Sequence, residues 1–160
     1  MKPYFIYIAI GIVLIAGVLV WAPWSPSMYK QYAISREMPI AKGADSSPNL
    51  AKGAQLYNLG KYEDAKKLLQ SEYMANPQNP SLAYYFAITL VETRKEYEAR
   101  TIFMHLHKGT SAFKNDAAYY AGLSLLKEGD KPAAIEWLRK VPEGTANAQK
   151  SKELIAALHK

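Results

Sequence analysis

Three regimes of hydrophobic patterning follow one another along the chain. Residues 4–21 read YFIYIAIGIVLIAGVLVW, 18 positions without a charge. Residues 25–46, SPSMYKQYAISREMPIAKGADS, are mixed in polarity and carry proline and glycine. Beyond them apolar residues recur at i, i+3, i+4 and i+7, the stripe of an amphipathic helix. Ala83, Phe86, Ala87 and Leu90 form one such set. Turn-forming residues separate the stripes: Gly60, the loop MANPQNP at 74–80, and the pair Gly129 and Asp130. The pattern predicts an all-α chain whose larger part is built from short paired helices.

The first regime predicts a transmembrane anchor over residues 1–24. Eighteen residues at about 1.5 Å each approach the ~30 Å hydrocarbon core of a bilayer, and extension to Trp24 gives 21. Tyr4 and Tyr7 at one end, with Trp21 and Trp24 at the other, suit the two interfaces. Pro23 and Pro26 stop the helix. A cleaved signal peptide is the competing reading, but it wants a shorter apolar core and small residues before the cut, where Trp21 and Trp24 stand. The expectation is an uncleaved, single-pass anchor. Lys2 keeps the short head in the cytoplasm, a bias that Lys30, Arg36 and Lys42 partly oppose. Residues 25–46 are read as a juxtamembrane linker with a short helical turn around Met28–Ala33.

After the linker the chain repeats itself. NLGKYEDAKKLL at 58–69, ETRKEYEARTIF at 92–103 and KEGDKPAAIEWL at 127–138 align on Ala65, Ala99 and Ala134, at steps of 34 and 35. Gly53, Ala87 and Gly122 keep the same steps. So do Leu56, Leu90 and Leu125, and so do Leu69, Phe103 and Leu138. Small residues belong where two helices cross closely, because a larger side chain forces them apart. The predicted crossings are Gly53 with Ala65, Ala87 with Ala99 and Gly122 with Ala134. The units run over 47–79, 80–113 and 114–142. Residues 143–160 form a capping helix, with Thr145 or Asn147 at its start and Leu154, Ile155 and Leu158 covering the open end of the last unit.

These residues resemble the tetratricopeptide repeat, a helix–turn–helix unit of 34 residues. Gly53, Leu56, Gly60, Tyr62, Ala65, Leu69 and Pro77 carry the resemblance in the first unit. Ala87, Leu90, Ala99 and Phe103 carry it in the second, which has Arg94 where glycine is usual. In the third they are Gly122, Gly129, Asp130, Ala134 and Leu138. Ala146 replaces its closing proline, and Pro132 sits in a first helical turn, where proline is tolerated. Asn49, Ala83 and Ala118 stand where a bulky aromatic is frequent. The resemblance implies an α-solenoid of about three helix pairs whose first helices line a concave groove. Some members clamp a C-terminal carboxylate with basic residues there. The corresponding Leu50, Ala54, Tyr85, Asp116 and Tyr120 include no basic residue, so that clamp is not expected.

Composition narrows the chemistry. A chain 49% hydrophobic and 21% charged is a folding sequence rather than a disordered one. The absence of cysteine removes disulfides and thiolate chemistry. Net charge is +6, but Lys66 and Lys67 are the only lysine doublet and acids lie among the lysines, so nucleic acid is not an expected partner. His105 and His107, two apart on a predicted helix, point about 200° away from each other and cannot share a metal. Glu63 and Asp64 begin a helix, where they favour its dipole. No glycine-rich phosphate loop or nucleophile elbow occurs. No catalytic residue, metal, cofactor or small-molecule substrate is expected.

What remains is surface. Opposite the small residues, the first helices carry Leu50, Ala54, Tyr57 and Asn58; Tyr84, Ile88, Val91 and Glu92; and Tyr119, Leu123, Leu126 and Lys127. Two readings stand: neighbouring helices bury this face, or it is an apolar and aromatic groove for a protein segment. The candidate partner-binding residues are Leu50, Ala54, Tyr57, Tyr84, Tyr85, Ile88, Tyr119, Tyr120 and Leu123. The expected function is a non-catalytic, membrane-anchored interaction scaffold holding an apolar peptide or helix of a membrane-associated complex. Similarity to anchored bacterial repeat proteins implies an accessory or assembly subunit of an inner-membrane or envelope complex, with its repeats on the periplasmic side. The alternatives are a cytosol-facing adaptor similar to import receptors and the regulatory subunit of an enzyme.

Overall fold

The computed structural model describes residues 26–33, 36–40 and 47–159. Eight helices occupy the described residues: α1 Pro26–Tyr32, α2 Pro48–Asn58, α3 Tyr62–Ala75, α4 Pro80–Glu92, α5 Glu96–Lys108, α6 Lys114–Glu128, α7 Lys131–Leu138 and α8 Ala148–Leu158. From α2 onward each helix packs on the next, and α1 packs on α6. The result is an all-α, repeat-like succession of three helix pairs, α2–α3, α4–α5 and α6–α7, followed by α8.

The pairs begin with local chemistry. Ser47 accepts the Leu50 N–H at 3.2 Å to open α2. Asn79 accepts from Ser81 and Leu82, both at 3.1 Å, to open α4. Asp130 accepts the Ala133 N–H at 3.1 Å to open α7. Pro48, Pro80 and Pro132 follow these caps directly or one residue on, where a missing N–H costs no hydrogen bond.

The turns inside the pairs are copies of one another. Lys61 N–H donates to the Leu56 carbonyl at 2.9 Å, Lys95 to Leu90 at 2.8 Å, and Asp130 to Leu125 at 3.0 Å. This six-residue closure requires a left-handed residue just past the helix. Gly60 (φ +70°), Arg94 (φ +62°) and Gly129 (φ +88°) supply it. The second unit keeps the turn without the glycine.

The crossings inside the pairs are close, but the nearest atoms to Gly53 belong to Leu69 and Leu68 rather than to the expected Ala65, while Gly122 meets Leu138 and the Ala134 carbonyl. A Cβ added to Gly53 would lie 2.9 Å from a Leu69 methyl, and one added to Gly122 would lie 2.9 Å from Leu138 Cγ. Ala87 and Ala99 are fully buried at the middle crossing. The second helices α3, α5 and α7 bury one stripe each. By contrast α4 is buried without interruption from Leu82 to Val91, and α6 from Asp116 to Leu126. A helix buried on all sides has neighbours on all sides. Some of those neighbours come from residues 28–40, as described below.

The expectation of a single-pass membrane protein is corrected. Among the described residues no helix is long and apolar enough to cross a membrane. The longest, α6, has 15 residues, about 22 Å at helical rise against a ~30 Å core. The left-handed turns end these helices early, and helix packing consumes their apolar faces. The segment on which the anchor rested, residues 4–21, lies outside the described residues. With the anchor go the transmembrane part of the fold class, the membrane-complex partner and the inner-membrane localisation.

Candidate interaction groove

The first helices of the three pairs share one face, and the described part of residues 28–40, namely 28–33 and 36–40, lies across it. Among the described residues of this segment two side chains are buried, Tyr29 and Met38. Tyr29 donates its hydroxyl to Glu92 on α4 at 2.6 Å. The Lys127 ammonium on α6 stands 4.8 Å from the centre of the same ring, a cation–π distance. Met38 is held by its backbone: its N–H donates to Asn58 Oδ1 at 2.8 Å, and Asn58 Nδ2 donates to its carbonyl at 3.0 Å.

Other contacts from the repeats also reach backbone. The Tyr85 hydroxyl donates to the Glu37 carbonyl at 3.0 Å, and the Tyr119 hydroxyl to the Tyr32 carbonyl at 2.8 Å. One contact reads charge. Arg36 meets Asp116 at 3.0 Å. Asp116 is buried and is fixed from behind by Asn147, which donates to its other oxygen at 2.8 Å. Asn147 precedes α8, so the capping helix positions the carboxylate. The segment spans all three units, from Lys127 and Tyr119 in the third to Asn58 in the first.

Beneath the segment runs a row of rings in edge-to-face contact. Tyr57 meets Tyr85 at 5.4 Å, Tyr85 meets Tyr84 at 5.2 Å, Tyr84 meets Tyr120 at 5.8 Å, and Tyr120 meets Tyr119 at 5.8 Å. Such pairs add about 0.5–1.5 kcal/mol each beyond their area. Tyr84 also stacks on Phe113 at 4.7 Å. Burial pushes the phenol pKa values of Tyr84, Tyr119 and Tyr120 above the usual range. It does the same to Tyr29, where the Glu92 carboxylate adds to the effect. These phenols stay neutral, and those of Tyr29 and Tyr119 donate. A cavity of about 450 Å³ opens where α1 leaves the row, lined by Tyr29, Tyr62, Ile88, Tyr120, Glu92 and Arg94 among others.

Of the nine residues that sequence places in the groove, Ala54, Tyr57, Tyr84, Tyr85, Ile88, Tyr119, Tyr120 and Leu123 are buried and Leu50 is partly so. Tyr84 is 1% exposed and Tyr119 fully covered. Tyr85 and Tyr119 touch the segment through their hydroxyls, while Tyr57, Tyr84 and Tyr120 form the floor. Three residues that reach the segment were outside that set: Asn58, Glu92 and Lys127. They occupy one register, at the repeat steps of 34 and 35. A polar residue at the same place in each unit is the signal that finds them.

The histidines stand apart. His107 packs edge-on against Trp137 at 5.5 Å, and His105 lines a second cavity of about 350 Å³ between α3, α4 and α5. Among the described residues no group of three or more potential ligands could hold a metal ion. Compared with known proteins, the chain matches no family model, no curated protein and no solved structure.

Proposed function

We propose that the chain is a non-catalytic protein-interaction module of the tetratricopeptide-repeat type. It serves as an accessory or assembly subunit that holds a segment of a partner protein on the shared face of α2, α4 and α6. One observation carries this reading. Side chains from all three first helices, Asn58, Tyr85 and Tyr119, bond the main chain of a peptide segment laid across them. Main-chain bonds supply affinity, and pockets for a few side chains supply choice. The repeat type is supported by the three equivalent left-handed turns and by the glycine crossings at Gly53 and Gly122.

The test is site-specific photo-cross-linking of the full chain in its native host. A cross-linker at Arg94, exposed on the rim of the cavity, is compared with one at Met74, exposed on α3. The expected outcome is a discrete protein adduct from Arg94 that is absent from Met74. Adducts from Met74 alone, or none from either, would count against the groove.

A further inference from the structure

We infer that residues 28–40 are a resident ligand of the groove rather than part of its scaffold, and that the groove accepts in trans a peptide bearing the same marks, helical at its aromatic end and irregular around its basic and apolar residues. Those marks are a basic residue, a large apolar residue two positions later with its backbone N–H and C=O free, and an aromatic ring seven positions before the basic one. The inference rests on reading the shared face as an interaction groove.

Four observations converge. The segment has the burial of a docked peptide: Tyr29 and Met38 are inserted, while Lys30, Gln31, Arg36, Glu37, Pro39 and Ile40 are exposed. The groove helices beneath it look different, since α4 is buried over ten consecutive residues and α6 from Asp116 to Leu126. The groove addresses the segment through backbone at Tyr32, Glu37 and Met38, a mode that tolerates other sequences. It adds one charge selector, Asp116, which Asn147 locks in place whatever sits opposite. Finally, the caps, turns and crossings that build the three pairs use residues of the pairs themselves and of Ser47. None of them draws on the described part of residues 28–40, whose share in the core is limited to Tyr29 and Met38 and the partly buried Met28, Tyr32 and Ala33.

The experiment uses the full chain and a fluorescent synthetic peptide of residues 26–40. In one variant the resident segment is undocked by Tyr29→Ala, Arg36→Glu and Met38→Asp together. Fluorescence anisotropy is expected to show this variant binding the peptide at least tenfold more tightly than the wild-type chain. Adding Asn58→Ala and Asp116→Asn is expected to lower that affinity at least tenfold. Adding Asp116→Lys instead is expected to shift preference to a peptide with glutamate at the Arg36 position. Equal binding by wild type and undocked variant, or binding indifferent to the groove substitutions, overturns the inference. So does loss of cooperative folding in the undocked variant, which would make the segment scaffold.

A measurement without substitutions guards the same point. In the wild-type chain the amides of Ala33 and Met38 are expected to exchange with solvent faster than those of α4 and α6. Equal protection overturns the inference. If peptide exchange fails while Arg94 still cross-links a partner, the interaction reading survives alone. If both fail, the groove itself is abandoned.

Discussion

Asn58 pairs with Met38 through both ends of its side-chain amide, accepting the Met38 N–H at 2.8 Å and donating to the Met38 carbonyl at 3.0 Å. One side chain thus does for Met38 what a neighbouring strand does in a sheet. It sets the register of the segment without reading its side chains.

Asn58→Ala removes both bonds and leaves the repeats intact. The loss of global stability is expected to be small, about 1–2 kcal/mol at most for two net hydrogen bonds. The local effect is larger: the Met38 amide loses its acceptor. Hydrogen exchange should report faster exchange at Met38 with little change in α6. An unaltered Met38 rate would mean that Asn58 does not hold the segment.

The double substitution Tyr84→Ala with Tyr119→Ala empties two fully buried sites. Each ring costs about 3–5 kcal/mol on truncation, against a whole-domain stability of about 5–15 kcal/mol. The double variant is expected to be largely unfolded by circular dichroism at room temperature. Tyr119→Phe keeps the ring and loses only the bond to the Tyr32 carbonyl, so it should cost about 1 kcal/mol. A double variant that melts like wild type would place these rings outside the core.

Alkaline pH should unfold the protein through its buried phenols. Burial raises the pKa values of Tyr29, Tyr84, Tyr119 and Tyr120 above the ordinary value. The neutral form is therefore favoured in the folded state. Its contribution is complete below about pH 10, the unfolded value, and is lost as pH rises beyond it. Each such group steepens the loss by about 1.4 kcal/mol per pH unit. Urea midpoints at about pH 9 and about pH 11 measure it. Tyr120→Phe should flatten the dependence, and a midpoint that does not move between those two values refutes the account.

The three left-handed turns give a matched pair of substitutions. At Gly129 (φ +88°) an added Cβ meets nothing within 4 Å, so only backbone strain changes. Gly129→Ala is expected to cost about 1 kcal/mol. Arg94, at φ +62°, already bears that strain, so Arg94→Gly is expected to stabilise by up to about 1 kcal/mol. Thermal melts should move in opposite directions. Shifts of the same sign would show that something other than the turn governs both sites.

The helix pairs were legible because their register is written in residues with one physical task. Gly53 and Gly122 sit where a Cβ collides, and Leu56, Leu90 and Leu125 supply the carbonyls that close the turns. Alignment by period even located the turn at Arg94, where the glycine signal is missing. The seating of residues 28–40 was not legible. A segment held by two inserted side chains and several backbone bonds leaves no periodic trace. Asn58, Glu92 and Lys127 could be placed on the right face, yet each reads alone as the polar edge of an apolar stripe. Their shared purpose needs the segment in place. The expected membrane span drew on residues 4–21, and no described helix has its length and apolarity.

Seven residues separate Ile40 from Pro48. A ligand joined to its site by so short a connection competes at an effective concentration on the order of millimolar. A free peptide of equal intrinsic affinity would reach half of the molecules only at that level. The tether therefore sets a threshold. Scarce, weakly binding peptides are turned away. The partners admitted are those that bind more tightly than residues 28–40, or that arrive linked to a second point of attachment.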